Sequence, residues 1–453
     1  MRNRLLIFCT AAALTGCMVG PNYRRPAVVS PPQFRAAQTP ATESSLGDTK
    51  WFDLFHDAAL RDLIQQALDA NYDIRIAAAR VLQAEGQLLA TRSFLFPQLS
   101  GPGGISRNGI QAPIQSQGAV GYGSSWELDF FGKLRRASEA ARADLLAADE
   151  SKRAVIQELV AQVATAYFDL LEYDAELDYV RESIRTREES VRLVSARLDG
   201  GVSTELDLDQ AKTLVASAQA NAATLEKAQE QTENLINFLL GRDPGPVTRG
   251  LTLIGQRTPP EVPAGLPGAL LERRPDLRAA EQQLIAANAR VGVAKAAFYP
   301  SITLTGVGGI GTSDLLGIAT RSGPVYSMGA ILDLPIFDAG RRAGNYKTAQ
   351  GRHEELLISY QKAIHGAFRD VSDALIGYQK NKEYTRSQTE LAETLRHQSR
   401  LANVRYIGGV SSYLEVLDTE RQRLTAEQQL AQAQRDVLTS LVQVYKSLGG
   451  GWQ

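Results

Sequence analysis

The feature that most constrains this chain is a run of 65 residues, Arg135–Asp199, without a proline or a glycine. Its apolar residues fall at Leu145, Ala148, Val155, Leu159, Ala166, Leu170, Tyr173, Leu177, Val180, Ile184, Val191, Val194 and Leu198, in steps of three, four or seven. That spacing draws one apolar stripe along a helix and is the pattern of coiled-coil-like packing. At 1.5 Å per residue the helix is about 100 Å long, more than one globular core can cover. A second run, about 341–406, repeats the pattern, with interruptions expected at Gly344, Gly351, Gly366 and Gly377.

The repetition extends to the rest of the chain. Phe94-Leu95-Phe96-Pro97-Gln98-Leu99 is answered by Ala297-Phe298-Tyr299-Pro300-Ser301-Ile302, and Leu128-Asp129 by Leu332-Asp333. Arg197-Leu198-Asp199-Gly200-Gly201-Val202-Ser203 returns 208 residues later as Arg405-Tyr406-Ile407-Gly408-Gly409-Val410-Ser411. Three landmarks in one order mark a duplicated unit of helix, strand pair, long helix, tight turn and helix. The expected divisions are a signal peptide at 1–16, a tether at 17–50, a first repeat at 51–240, a Pro/Gly-rich linker at 241–268 and a second repeat at 269–453.

Between the helices the period changes from 3.6 to 2. Val120, Tyr122, Trp126, Leu128 and Phe130 alternate with Gly121, Gly123, Ser125, Glu127 and Asp129, and Tyr326, Met328, Ala330, Leu332 and Leu334 alternate with Ser327, Gly329 and Asp333. An aromatic-apolar face opposite a small-polar face suits strands at about 119–130 and 325–334 that lie between lipid and water. Their partners are expected at about 98–107 and 301–309. Four strands cannot close a barrel, and open edges are not tolerated in hydrocarbon. If these strands enter a bilayer, several copies must share one barrel; two copies or three satisfy the arithmetic.

At the N-terminus, Arg2 and Arg4 precede a short apolar stretch, Leu5–Leu14, that ends in Leu14-Thr15-Gly16-Cys17. The pattern resembles a bacterial lipobox, with Cys17 acylated and left as the first residue. Met18 rather than an aspartate follows it, which points to the outer membrane. The acyl chains then hold the protein at a bilayer without a spanning helix. A net charge of −1 gives no electrostatic reason to expect a nucleic-acid partner. Two cysteines and four histidines exclude a disulfide scaffold and argue against a Cys/His metal site. Gly306-Val307-Gly308-Gly309-Ile310-Gly311 fits GxGxxG but lacks the following helix and acid of a dinucleotide site. His56, His353, His365 and His397 show no metal-ligand spacing, and there is no nucleophile elbow. No enzyme is expected, and no cofactor beyond the lipid.

The duplicated plan, with these motifs, resembles the TolC-like outer membrane efflux proteins, in their NodT-type lipoprotein branch, over almost the whole chain. Gly16-Cys17-Met18-Val19-Gly20-Pro21-Asn22-Tyr23-Arg24-Arg25-Pro26 looks like the opening motif of that branch. Glu272-Arg273-Arg274-Pro275-Asp276-Leu277-Arg278-Ala279-Ala280-Glu281 looks like its most recognisable string, and Tyr445–Trp452 like its closing one. The resemblance implies a mixed α+β fold in which a homotrimer shares a twelve-stranded barrel and a long α-helical barrel. It implies a passive conduit for small molecules (drugs, toxic compounds or metal ions), served by a periplasmic adaptor and an inner-membrane pump of the resistance-nodulation-division type.

For the two turns, the resemblance implies adaptor docking through Arg197, Gly200, Gly201, Val202, Ser203, Leu206, Arg405, Gly408, Gly409, Val410, Ser411 and Leu414. From residue type alone, Gly200 and Gly408 are expected to supply left-handed backbone, Ser203 and Ser411 to cap the next helices, and Leu206 and Leu414 to pack the turn. Some relatives carry an acidic constriction where Ser411 stands. Glu415 and Asp418 remain nearby, with Glu205, Asp207 and Asp209 at the first tip, although acids in a first helical turn also simply favour the dipole. Arg400 and Arg405, pairing with such acids, form a candidate gate. A duct for type I protein secretion and a lipid-anchored periplasmic scaffold or adaptor are the rival readings, and the alternating strands argue against the scaffold.

Overall fold

The computed structural model describes residues 18–37, 45–101, 103–108, 115–257, 262–312 and 323–452. The signal segment and Cys17 lie outside the described residues, as do Pro259-Pro260 of the linker. The helices of more than ten residues are α1 (Ala58–Ala70), α2 (Tyr72–Ser93), α3 (Lys133–Asp199), α4 (Glu205–Leu239), α5 (Pro275–Ala296), α6 (Arg341–Ile407) and α7 (Tyr413–Ser447). The strands are β1 (Gln98–Ser100), β2 (Gly103–Asn108), β3 (Gln115–Leu128), β4 (Ser301–Thr312) and β5 (Gly323–Asp333). The four glycines of α6 do not interrupt it. Gly344, Gly351, Gly366 and Gly377 are all helical, and a Cβ added at any of them would meet nothing within 4 Å. Each costs helix propensity, but its neighbours in the helix carry it through.

The chain forms two compact units. The first comprises Met1–Val28, Ala78–Ser151 and Asp276–Ala363, and the second Val29–Ala77, Lys152–Pro275 and Ile364–Gln453.

The first unit holds one antiparallel sheet in the order β1/β2, β3, β4, β5. Its register brings the expected faces together, because directly paired residues point to the same side. Val120 pairs with Ile310, Trp126 with Leu304 and Leu128 with Ile302; in turn Ile302 pairs with Leu332 and Gly308 with Tyr326. Val120, Tyr122, Leu304, Ile310, Tyr326, Met328 and Leu332 of that face are exposed. Gly121 and Gly309, paired on the other face, have no alternative residue: a Cβ on either would lie 2.5 or 2.4 Å from a backbone oxygen across the pair. The first partner strand is split at Gly101, and β3 begins four residues earlier than its alternation suggests. Phe130 falls beyond the end of β3. The Gly306–Gly311 string lies inside β4, so no helix starts on it.

Aspartates turn the strands into the long helices. Asp129 accepts from the backbone N–H groups of Leu134 and Arg135 at 3.0 and 2.9 Å. In the second repeat that task falls to Asp338, which accepts from Gly340 and Arg342 at 3.2 and 3.1 Å, while Asp333 stays paired in β5 opposite Ser301. The N-terminal segment is extended but held. Val19 N–H donates to Phe131 O at 3.1 Å, and Asn288 Nδ2 to Pro21 O at 2.9 Å. Glu281, 6% exposed, accepts from Tyr23 Oη at 3.0 Å and from Arg25 Nε and Nη2 at 2.6 Å. A bidentate arginine on a buried carboxylate fixes position as well as charge.

In the second unit the apolar stripe of α3 widens. Leu159, Val160, Val163, Ala164, Ala166, Tyr167, Phe168, Leu170 and Leu171 are all buried, so this stretch is covered on most sides. Asp57, 1% exposed, caps α1 through Ala59 N–H at 2.9 Å. It also accepts from Tyr167 Oη at 2.9 Å, Leu251 N–H at 2.9 Å and Gln256 Nε2 at 2.8 Å. Burial alone raises a carboxyl pKa, but here the bonds from Gln256, Leu251, Tyr167 and Ala59 outweigh it and hold Asp57 below the ordinary range. The C-terminus closes on the same unit: Gln157 Nε2 donates to Lys446 O and Gly450 O at 2.7 and 2.8 Å, and Trp452 Nε1 to Arg273 O at 3.2 Å.

Asp57→Ala leaves several buried donors unpaired and is expected to cost about 2–3 kcal/mol in chemical denaturation. Because the folded pKa of Asp57 is depressed, its contribution is complete above the ordinary aspartate range and is lost as pH falls through the folded value. The wild-type and variant denaturation midpoints should therefore converge in acid.

Candidate functional site at the hairpin tips

Both turns are built alike. After α3, Gly201 N–H bonds Leu198 O at 2.9 Å and Val202 N–H bonds Arg197 O at 2.8 Å. After α6, Gly409 N–H bonds Tyr406 O and Val410 N–H bonds Arg405 O, both at 3.0 Å. These paired reverse bonds are a Schellman cap, whose left-handed residue lies one past the helical end. The left-handed glycines are therefore Gly201 and Gly409, at φ 75° and 76°, and not Gly200 and Gly408. Gly200 and Gly408 still bond four residues back, to Ala196 O and Val404 O.

The caps of the following helices also shift by one. Thr204, not Ser203, is the N-cap of α4, and it exchanges bonds with Asp207: Asp207 N–H to Thr204 Oγ1 at 3.2 Å and Thr204 N–H to Asp207 Oδ2 at 2.9 Å. Asp207 thus completes a capping box, a structural use of one of the tip acids. At the second tip Ser412, not Ser411, is the N-cap and makes no side-chain bond, while Ser411 Oγ is shielded without a partner. Leu206 and Leu414 do not pack the turns. They are 65% and 64% exposed, beside Val202 and Val410 at 70% each. The residues that do pack beneath are Val194, Ala211, Ala402, Tyr406, Tyr413 and Val416.

Two features join the tips. The Arg197 guanidinium lies 4.6 Å from the Tyr406 ring centroid and donates to Tyr406 O at 3.2 Å. Tyr406 in turn tilts against Tyr413 at 5.1 Å. Burial, then the neighbouring Tyr406, pushes the Tyr413 hydroxyl up to about 12. Of the candidate gate residues, Arg405 pairs with Glu415 at 3.5 Å, Asp418 is taken by Arg421 at 3.0 Å, and Arg400 forms no ion pair among the described residues. An open groove of about 470 Å³ runs between the first turns of α4 and α7, lined by Leu206, Leu214, Leu414 and Leu417, with Asp209 and Asp418 at its rim.

A polar ladder beneath the apolar layer has no counterpart in the stripe pattern. Arg187, 5% exposed, donates to Leu214 O at 2.9 Å. Arg423 joins Glu420 at 2.9 Å and Glu427 at 3.1 Å, and Arg396 reaches Glu427 at 2.6 Å. Its sequence signal is charge at steps of three and four on α7, which also describes a solvated face. Among the described residues no group of His, Cys, Asp and Glu is arranged to hold a metal ion.

The family described as outer membrane efflux protein matches residues 63–242 and 266–450. The cation efflux system protein CusC of Escherichia coli O6:H1 is 35% identical over 456 residues, 99% of each chain. The solvent efflux pump outer membrane protein SrpC of Pseudomonas putida is 36% identical over 473 residues, 100% of this chain and 99% of that one. Among solved structures, the open state of the MtrE outer membrane channel of Neisseria gonorrhoeae superposes with a TM-score of 0.88 at 32% identity, covering 96% of this chain and 99% of that chain. Duplicated long hairpins, a single antiparallel sheet and these matches coincide over nearly the whole sequence, and the chain belongs to the outer membrane efflux protein family, as a bacterial outer-membrane channel and not an enzyme.

Proposed function

We propose that the chain is the exit duct of a tripartite efflux system, in which three copies share one twelve-stranded barrel. The observation that carries this is the sheet itself. Its apolar face is exposed, β3, β4 and β5 are 14, 12 and 11 residues long, and its two outer edges, at β1/β2 and β5, have no strand partner among the described residues. Strands of that length span a bilayer when tilted, and their edges must be paired there. Edge-to-edge pairing of copies supplies the missing bonds. Cys17 carries the lipid anchor, at the end of a segment whose residues from Val19 to Arg25 are bonded to the first unit.

The hairpin tips dock a periplasmic adaptor, which joins the duct to an inner-membrane pump of the resistance-nodulation-division type. Arg197, Gly200, Gly201, Val202, Ser203 and Leu206, with Arg405, Gly408, Gly409, Val410, Ser411 and Leu414, form the docking surface. Support comes from the exposed Val202, Leu206, Val410 and Leu414 and from the groove between them, since exposed apolar groups in one patch mark an interaction site. The Arg405–Glu415 pair belongs to the gate, as do Arg400 and Asp418. Cargo passes without an energy source in the channel. The names of CusC and SrpC, a cation and a solvent efflux protein, support small toxic species as cargo.

The native mass of the lipidated protein in detergent tests the reading first: three copies plus acyl chains are expected, and a stable monomer overturns the shared barrel. Leu206→Asp combined with Leu414→Asp is expected to leave that mass unchanged and to abolish export in cells that supply the pump and adaptor, read as at least a fourfold loss of toxin tolerance. Arg405→Glu removes the exposed pair with Glu415 and is expected to raise single-channel conductance in planar bilayers, an effect that weakens at high salt.

A further inference from the structure

The two hairpins also meet through a cluster of acids that the tip reading leaves unused. Asp169, Glu172 and Glu176 lie three and four residues apart on α3 and so share a face. Arg435 of α7 meets them there: its Nε is 2.7 Å from Glu172 Oε2 and 3.5 Å from Asp169 Oδ1, and its Nη1 is 3.2 Å from Asp436 Oδ1. Glu176 accepts hydrogen bonds from Gln432 at 2.8 Å and Gln428 at 3.4 Å, again from α7. Glu172 and Glu176 are each 3% exposed, and Asp169 Oδ1 accepts no hydrogen bond. One guanidinium thus meets three carboxyl groups with Glu176 a turn away, and two of the four acids are buried. Full ionisation would leave uncompensated negative charge inside the packing of α3 against α7, which is costly.

The groups facing Glu172 are Asp169, Tyr173 and Glu176 on α3 and Arg435 on α7, with Asp436 acting on Asp169. Burial is the largest influence and pushes the Glu172 carboxyl up to about 7; Arg435 opposes this, while Glu176 and Asp169 add to it. Burial raises Glu176 and Asp169 as well, so the acids titrate as a group.

We propose that the Asp169–Glu172–Glu176–Arg435 cluster is a proton-operated latch between the hairpins, holding a proton at Glu172 while α3 and α7 are packed and releasing it when they part. The sign follows from linkage. The packed state binds a proton that the parted state releases, so packing is firm in acid and weakens as pH rises from the ordinary glutamate range towards the packed-state value, above which the loss is complete. The latch lies 27 residues from Asp199, about 40 Å along α3 from the first tip, and the two helices it joins belong to different hairpins. Any motion of one hairpin past the other must pull Arg435 from Glu172, so local pH biases how freely the hairpins separate. The inference stands on the packing within one chain and does not depend on adaptor docking.

The test compares the full-length protein in detergent with its Glu172→Gln variant, which keeps the shape and fixes the neutral state. Hydrogen exchange of α7 peptides covering residues 424–440 is measured for both at each pH from 5 to 8, so that intrinsic exchange chemistry cancels in the ratio. The wild-type rate relative to the variant is expected to rise about tenfold or more across that range and to level off above about pH 7. A ratio that stays flat overturns the latch. Infrared titration of the wild type with labelled glutamate decides even if the variant folds poorly. A protonated glutamate carboxyl band present at pH 6 and lost by about pH 8.5 is expected, and a wild type without that band at pH 6 overturns the proposal.

Discussion

From Leu159 to Leu171, α3 buries side chains on most of its sides, and the second unit is organised around that burial. A helix of 67 residues gains little from its own hydrogen bonds beyond what water offers; packing of its apolar surface stabilises it. Phe55 meets Phe168 at 6.2 Å, Asp57 meets Tyr167, and Gln157 holds the chain end through Lys446 and Gly450. The segment leading into α1, the linker and the C-terminus therefore all fasten to one short stretch. The string Glu272–Glu281 and the closing Tyr445–Trp452 meet each other, since Trp452 bonds Arg273 O, and Arg274 reaches Asp370 at 3.6 Å.

Towards the tips the packing changes character. Beneath the apolar layer of the tips runs a ladder of Arg187, Arg396 and Arg423 with Glu420 and Glu427. Such a ladder contributes less net stability than an apolar core of the same volume, because desolvation offsets most of the attraction. The Glu172–Arg435 contact joins two hairpins rather than lying within one.

The duplication, the long helices and the alternating strand faces were legible because each depends on a periodicity that local geometry enforces. The failures share a cause. Gly200 and Gly408 were expected to be the left-handed residues, but the Schellman bonds need one more helical residue first, and a helix end is set by its last carbonyl partners. Ser203 and Ser411 lost the cap positions to Thr204 and Ser412 through the same one-residue shift. Residue type alone expects Leu206 and Leu414 to pack the turns, yet Val194, Ala211, Ala402, Tyr406, Tyr413 and Val416 fill the layer beneath and both leucines stay exposed. The bonded N-terminal segment gave no periodic signal, since Tyr23, Arg25 and Asn22 act one at a time on partners more than 110 residues away.

By itself the sequence determined the duplicated helix–strand–strand–helix plan, the face of each strand and the presence of two matched glycine turns. Period and propensity act over a few residues, and no distant contact is needed to read them. Long-range packing settles which stretch of α3 is covered on most sides, which glycine takes the left-handed turn, and that Asp338 rather than Asp333 caps α6. It alone brought Glu172 to Arg435, across 263 residues of chain, because the partner of a buried charge is chosen by which helix packs beside it and not by anything in its own neighbourhood.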